Sequence, residues 1–372
     1  MTLPAMPDAE VRVTLGVDTH AEVHVAVALD QLGRRLGACT VATTPAGARE
    51  LLWWASQFGP IEQVGCEGTS SWGVGLARFL RGQGLAVLDV NRPSRQTRRR
   101  RGKSDPVDAE AAARAVQAGT ATTVAKTADG QVEMIRTLRL VRRSALKART
   151  QAANQLQSLL VTAPDELREQ LRGLSLDRLV AAAAQLDPDG RVTTTLGASR
   201  LALRSVAVRY QQLTAEITAL GQQLDRLVAQ AAPALVALPG VGTDTAATLL
   251  IAAGDNPERL HSEAAFAHLC GVAPIPASSG KTTRHRLHRG GNRDANRALW
   301  VIAMGRLRWD QQTRAYMARR TAEGKTKLEI IRCIKRYLAR ELYGVLSAPT
   351  DRGIRPPTRP PGSRRDTATD GH

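Results

Sequence analysis

The sequence predicts a mixed α/β N-terminal domain, a helical coiled-coil middle and a mainly helical C-terminal domain. Three observations carry that reading. Between Val11 and Val90 short apolar runs alternate with helical periods. From about Glu133 to Gln230 apolar residues recur every three or four positions. Beyond Pro233, turns marked by glycine and proline separate further helical runs.

Taken in order, Val11, Val13, Leu15 and Val17 alternate as a strand, and Asp18-Thr-His-Ala-Glu reads as a turn. Val23, Val25, Val27 and Leu29 alternate again, and a third strand near Gly37–Thr43 continues the meander. Thr44-Pro-Ala-Gly-Ala opens a helix that ends near Phe58-Gly-Pro. Gln63–Glu67 is a short apolar strand, Ser71–Gly82 a helix and Leu85–Val90 another strand, with a helix from Pro106 to about Ala118 after it. Three strands, then alternating helices and strands, make a mixed sheet.

In the middle region Leu138, Val141, Ala145, Ala148, Ala152, Leu156 and Leu159 line one helix face. Arg136, Arg139, Arg143 and Lys147 fall on the opposite face. Leu213, Ile217, Leu220, Leu224 and Leu227 step as a heptad seam, so the two helices pair as an antiparallel hairpin or with another copy. Asp187-Pro-Asp-Gly190 is a turn between them. Leu238-Pro-Gly-Val-Gly242 before a helical run resembles half of a helix-hairpin-helix, in which Gly240 and Gly242 present backbone N–H groups to a phosphate. The resulting boundaries are 1–10 for an N-terminal extension, 11–125 for the α/β domain and 126–232 for the coiled-coil region. Residues 233–346 form the C-terminal domain, and 347–372 a disordered tail rich in Pro, Arg, Thr and Gly.

A net charge of +18 and an isoelectric point near 10.9 point to an anionic partner, nucleic acid before membrane. Arginine outnumbers lysine 45 to 7, a codon preference that exchanges one cation for another and creates no net charge. Aromatic residues are 3% of the chain, too few for base stacking on an aromatic platform to dominate. Cys39, Cys66, Cys270 and Cys333 are scattered without CxxC spacing, as expected of thiols in a reducing compartment and not of a zinc site or disulfide frame. No signal peptide is evident, and the longest apolar stretch, around Ala234–Gly254, is broken by Pro239, glycines and Asp244. A soluble cytoplasmic protein is expected.

The densest signal is the run from Arg92 to Asp108. Arg92, Arg95, Arg98, Arg99, Arg100, Arg101 and Lys103 place seven cations in twelve residues, directly before Asp105 and Asp108. On a helix that i, i+3 spacing puts both carboxylates on one face, close enough to share a divalent ion. Taken alone, the pair serves equally as helix caps. Asp18 at the end of the first strand and Glu67 directly after the fourth are poorly explained by stability. First-strand Asp, fourth-strand Glu and a final helix carrying Asp-x-x-Asp form the layout of the ribonuclease-H-like fold. In that fold carboxylates hold two Mg²⁺ ions against a phosphodiester. Hard oxygen ligands suit Mg²⁺, with Mn²⁺ as a substitute. His20 and His24 read as structural and receive no role.

A second basic block runs from Lys281 to Arg320, with eleven cations against Asp294 and Asp310. Lys281, Arg284, Arg286, Arg289 and Arg293 flank an exposed loop that carries Ser278-Ser279-Gly280. Arginines around a serine can stabilise the charge that develops when its hydroxyl attacks a phosphate. Ser-Ser-Gly is also an ordinary loop composition.

Gly16-Val-Asp-Thr-His, Gly65-Cys-Glu-Gly, Lys103-Ser-Asp-Pro-Val-Asp-Ala, Leu238-Pro-Gly-Val-Gly and Pro274…Ser-Ser-Gly…Arg-Gly-Gly-Asn…Asn-Arg-Ala-Leu occur in that order. With them, over about residues 11–345, the chain resembles the DEDD transposases of bacterial insertion sequences, described as bridge-RNA-guided recombinases. The resemblance implies a RuvC-like N-terminal domain, a coiled-coil hairpin and a C-terminal transposase domain. It implies Asp18, Glu67, Asp105 and Asp108 as metal ligands, and one serine as nucleophile, Ser279 with Ser278 as fallback. It further implies strand exchange through a phosphoserine, DNA and a structured RNA as partners, and dimers pairing into tetramers in the bacterial cytoplasm. A water-using junction nuclease and a catalytically idle nucleic-acid-binding protein are the competing readings.

Overall fold

The computed structural model describes residues 10–90, 104–187, 192–256, 259–280 and 285–347. Its chain divides into two compact units, Met1–Val132 with Ala252–Phe266, and Glu133–Ile251 with Ala267–His372.

The first unit is built on a five-stranded sheet: β1 (Val13–Thr19), β2 (Val23–Leu29), β3 (Arg35–Ala42), β4 (Ile61–Glu67) and β5 (Ala86–Val90). Their order is β3-β2-β1-β4-β5. β1, β2 and β3 pair antiparallel as a meander, while β1, β4 and β5 pair parallel. Helices α1 (Pro45–Ser56) and α2 (Val74–Gly82) supply the crossovers, the first capped by Thr44, whose side chain accepts from Gly47 N–H. Mixed topology and helical crossovers match the sequence expectation. One boundary differs in a way that matters below: Asp18 and Thr19 belong to β1 itself, so the turn begins only at His20.

Alternation along the strands sorts their side chains to two faces. Val13, Leu15, Val17, Val64, Cys66 and Val87 pack with Leu51, Leu76 and Leu80 of α1 and α2. The other face carries Gly16 and Gly65, register partners in the parallel β1–β4 pair. Over them lies α3 (Asp105–Gln117), whose inner face is Ala109, Ala112, Ala113 and Val116. A Cβ on Gly16 would fall 2.0 Å from the Ala109 carbonyl oxygen, and one on Gly65 would fall 2.6 Å from that of Ala112. Glycine on the strand and alanine on the helix therefore set how closely α3 meets the sheet. Gln117 pins the far end of α3 through hydrogen bonds to Asp30 O (2.7 Å) and Thr14 Oγ1 (3.2 Å).

Residues 252–266 return to this unit. Asp255 accepts from Val132 N–H at 2.7 Å, Asn256 donates to Ala125 O at 3.2 Å and Arg259 donates to Val124 O at 3.0 Å.

The second unit is helical, with a short two-stranded ribbon. Helices α4 (Gln131–Val161) and α7 (Thr195–Ala231) run antiparallel: Arg209 donates to Gln155 Oε1 and the Arg149 guanidinium stacks 5.7 Å over the Tyr210 ring. Of the predicted heptad positions on α7, Ile217 and Leu224 are buried and Leu213, Leu220 and Leu227 half-buried, with Leu203, Ala207 and Val228 buried beside them. The short α5 (Asp165–Leu171) and α6 (Leu176–Ala184) close one end of the pair. Leu167, Leu171, Leu179, Val180 and Ala183 pack against Leu156, Leu203 and Ala207, so one end of the helix pair is a small four-helix core. The predicted Asp187–Gly190 turn falls mostly outside the described residues.

After α8 (Pro233–Val236) and α9 (Thr243–Ala253) come α10 (Glu263–Leu269), β6 (Pro274–Pro276), β7 (His285–Leu287), α11 (Arg293–Trp309), α12 (Gln311–Ala322) and α13 (Lys327–Leu346). Arg306 of α11 makes a two-pronged ion pair with Glu341 of α13 at 2.7 and 2.8 Å, and its Nε donates to Pro239 O. That fork holds the Leu238–Gly242 turn. Gly240 there has φ +79°. The turn is packed against α11; a helix-hairpin-helix is not established by it.

One pair of substitutions isolates the contact between α3 and the sheet. Gly16→Ala should cost about 3 kcal/mol or more in urea unfolding, because backbone must move to admit the methyl group. Gly75→Ala on α2, where no atom stands within 4 Å of the new Cβ, should instead stabilise by ~0.5 kcal/mol.

Candidate active site

The four sequence-predicted acids meet at one edge of the sheet. Asp18 is the penultimate residue of β1 and Glu67 the last of β4. Parallel pairing brings the two strand ends together, and both side chains follow the glycine two residues earlier onto the α3 face. Thr19 Oγ1 donates to Glu67 O at 2.8 Å, tying the strand ends. Asp105 and Asp108 occupy the first and fourth positions of α3, with Ser104 as the residue before the helix. The aspartates are therefore not the cap, and the close contact at Gly16 and Gly65 delivers their turn to the sheet edge.

Asp18, Glu67 and Asp108 are buried, while Asp105 is open to solvent. Burial pushes the Asp18 carboxyl above its ordinary range. The negative charges of Glu67, Asp108 and Asp105 push the same way, and His20 opposes them. Asp18 thus feels all three other acids. Clustered carboxylates of this kind are costly without a cation among them.

A divalent ion fits this set. The donors are hard oxygens, three of them on buried side chains held by regular secondary structure. Asp18, His20 and Asp105 each offer one atom within a mutual 4.8 Å. Asp18, Glu67, Asp105 and Asp108 would hold the metal, whose chemistry is to polarise a phosphodiester and offset charge on its oxygens.

His20 was the residue that sequence reasoning passed over. Its Nε2 lies 3.1 Å from Asp18 Oδ2 and 3.5 Å from Asp105 Oδ1. The signal was present in the spacing, since residues i and i+2 of an extended segment share a face. It was hidden by placing Asp18 in a turn. His24 is a buried core residue of β2, and burial lowers its pKa. All four cysteines are free thiols; burial pushes Cys66, behind the acids, up to about 12.

Ser278 and Ser279 lie in the second unit, exposed, where β6 leads towards β7, and Gly280 follows with φ +55°. The neighbouring motif residues anchor this ribbon. A Cβ on Gly291 would strike the His268 carbonyl at 2.6 Å. Asn292 caps α11, accepting from Ala295 N–H at 2.9 Å. Asn296 donates to Cys270 O and Gly271 O and accepts from Lys335 at 2.8 Å.

The second unit also contains a cleft of about 300 Å³ between α4, α9 and α11. Arg139, Arg142, Arg143 and Arg297 line it, with only Asp244 and Asp294 as acids. Arg139 and Arg142 share Asp244 at 3.3 and 3.8 Å, and Arg143 meets Asp294 at 2.9 Å. The Arg142 Nε is buried with no hydrogen-bond partner among the described residues. Arg139 and Arg143 therefore line an excess-positive cleft, Arg139 half-buried and Arg143 exposed at its edge, and Lys147 is exposed. Arg286, Arg289 and Arg293 are exposed around the serine ribbon. Gly240 is in contact range of Arg306 and Ile302, and Gly242 has an open side. Arg92, Arg95, Arg98, Arg99, Arg100, Arg101, Lys103, Lys281 and Arg284 lie outside the described residues. No helix among the described residues is long and apolar enough to cross a membrane.

Comparison with known proteins agrees with this arrangement. Residues 15–163 match the family model described as a transposase of the DEDD, IS110 type. Residues 232–318 match the one described as the transposase IS116/IS110/IS902 family. The chain is 34% identical over 145 residues to an uncharacterized 43.6 kDa protein of insertion element IS110 from Streptomyces coelicolor, covering 36% of this chain and 35% of that protein. It is 27% identical over 113 residues to an uncharacterized 42 kDa protein of insertion element IS900 from Mycobacterium paratuberculosis, covering 30% and 28%. The chain thus spans about a third of the length of these curated relatives. The first family match takes in all four acids and the second takes in both serines and the anchoring asparagines, so the chain belongs to the IS110 family of DEDD transposases.

Proposed function

We propose that this protein is an insertion-element transposase that cleaves and exchanges DNA strands, using metal-binding carboxylates and a serine nucleophile. The observation that carries the reading is the convergence of Asp18, Glu67, Asp105 and Asp108 at one sheet edge. Their arrangement supports a two-ion Mg²⁺ site in a ribonuclease-H-like domain, with Mn²⁺ able to replace Mg²⁺.

Ser279 is the proposed nucleophile, with Ser278 as the fallback. Its hydroxyl oxygen attacks phosphorus, forming a serine–phosphate ester and breaking the bond to one nucleotide oxygen. The displaced oxygen takes up a proton, and the ester keeps the bond energy for rejoining to another strand. Exposure of Ser279 leaves its hydroxyl accessible to a duplex, and Arg286, Arg289 and Arg293 supply charge beside it. The four acids belong to one compact unit and the serine to the other, and the family resemblance extends the proposal to acids and serine contributed by different subunits. Resemblance to the bridge-RNA-guided group extends the proposal to a structured guide RNA and to dimers that pair into tetramers. Antiparallel α4 and α7 are the proposed coiled-coil element, and the Leu238–Gly242 turn a backbone phosphate contact.

Trapping on labelled element-end DNA in a denaturing gel, with Mg²⁺ and co-purified RNA, tests the chemistry. A covalent protein–DNA band is expected from wild type and is lost in Ser279→Ala. Asp105→Asn should lower its yield by roughly 10²- to 10³-fold, the scale of a lost charge-stabilising group. Cleavage with no covalent band would instead mean a water-using nuclease.

Metal removal gives a second prediction. Asp18 has a folded-state pKa above its unfolded value of 3.8, so the folded protein holds that proton more tightly. Metal-free stability should therefore fall as pH rises through that interval and stay lowered above it. Asp18→Asn removes the penalty, so its melting temperature should exceed wild type at pH 7 in chelator. Adding Mg²⁺ should stabilise wild type alone.

The arginine cleft gives a third. If Arg139 and Arg143 each meet a phosphate, replacing both with alanine should reduce the salt-dependence slope of nucleic-acid binding by roughly 1.8, about 0.9 per contact. An unchanged slope would leave them as partners of Asp244 and Asp294 only.

A further inference from the structure

Resting on the proposed carboxylate metal site, we infer that His20 is itself a ligand, making the Asp18–Asp105 position a mixed nitrogen–oxygen site that favours Mn²⁺-like ions over Mg²⁺. The geometry points to this in three ways. First, one nitrogen, Nε2, faces oxygens of two different carboxylates at 3.1 and 3.5 Å. Nε2 and Asp18 Oδ2 form a hydrogen bond at 3.1 Å; adjacent ligands on an octahedron with bonds of ~2.1 Å stand ~3.0 Å apart, so the same atoms are spaced to accept one ion in place of the shared proton. Second, the backbone that carries the ring is fixed. His20 N–H donates to Val23 O at 3.1 Å, and His20 O accepts from Thr43 Oγ1 at 3.0 Å. The turn between β1 and β2 is fixed at both of those groups. Third, the imidazole is 42% exposed while Asp18 beside it is 7% exposed in its side chain. A ring that only closed over a buried acid would leave less of itself open; this one leaves the mouth of the site accessible to an ion.

Imidazole suits Mn²⁺ and later first-row ions, whereas Mg²⁺ prefers oxygen. A His in the set therefore does what four carboxylates do not: it discriminates between two hard divalent ions. It also sets the two proposed metal positions apart, because Glu67 and Asp108 offer oxygen alone.

The test uses full-length protein titrated with Mn²⁺ and read by electron paramagnetic resonance, with pulsed measurement of nitrogen coupling to the bound ion. Wild type is expected to show imidazole nitrogen coupling. His20→Gln, which keeps a polar group of similar reach, should lose it and should bind Mn²⁺ relative to Mg²⁺ roughly tenfold less well. Bound Mn²⁺ without nitrogen coupling in wild type would overturn the His20 assignment and leave the carboxylate site standing, provided Asp18→Asn abolishes binding. Coupling retained in His20→Gln would also overturn it, assigning the nitrogen elsewhere. No bound Mn²⁺ in wild type would refute the carboxylate reading together with this one. The decisive comparison is on wild type, so it does not depend on any variant folding.

Discussion

Much of the first unit depends on one contact, the approach of α3 to the β1–β4 pair at Gly16 and Gly65. Both glycines stand two residues before an acid, and both sit beneath backbone carbonyls of the helix. Removing two side chains from the sheet lets a helix with small residues on its inner face descend until backbone meets backbone. Dispersion between close surfaces replaces the apolar area that alanines cannot supply. The same descent carries the first turn of α3 to where β1 and β4 end. Packing and site geometry are therefore one constraint, and the Gly-x-acid spacing repeats in both strands because both strands must clear the same helix.

The alternating apolar runs of the first 90 residues led directly to the strands, since successive strand side chains point to opposite faces and the two faces differ in what they carry. The acids were legible for a related reason: a carboxylate straight after an apolar strand contradicts burial, and contradiction of a local rule marks a site. His20 was not legible, because assigning a turn from Asp18 onward removed the period that aligns it with Asp18. In the helical region the period of the α7 seam was legible, with Ile217 and Leu224 buried and Leu213, Leu220 and Leu227 half-buried. The small helices α5 and α6 were not, although their Leu167, Leu171, Leu179 and Val180 cover Leu203 and Ala207. Partners distant in sequence decide what packs on a helix; periodicity alone cannot.

Charge in the second unit shows a similar limit. Arginine counts point to an anionic partner, but sequence could not show that Arg139 and Arg143 would each find a carboxylate, on α9 and α11. Paired in this way, the cations line one cleft. The acids are exchangeable partners: Asp244 and Asp294 have side chains that remain 63% and 49% exposed, and a phosphate competes with them on favourable terms. Arg306 is different in kind, because its fork is spent on Glu341 and Pro239 and secures a turn.

Asp255 accepts from the N–H of Val132 at the start of α4, and residues 252–266 belong to the unit that the first 132 residues build. The peptide backbone consequently crosses between the two units three times. Neither unit is a contiguous cassette, so a fragment ending near residue 132 would lack the acid that starts its last helix and the Asn256 and Arg259 bonds to its final loop. Any single crossover between two such genes would leave at least one unit assembled from mismatched parts. Exchange of one whole unit between relatives requires three coordinated breakpoints.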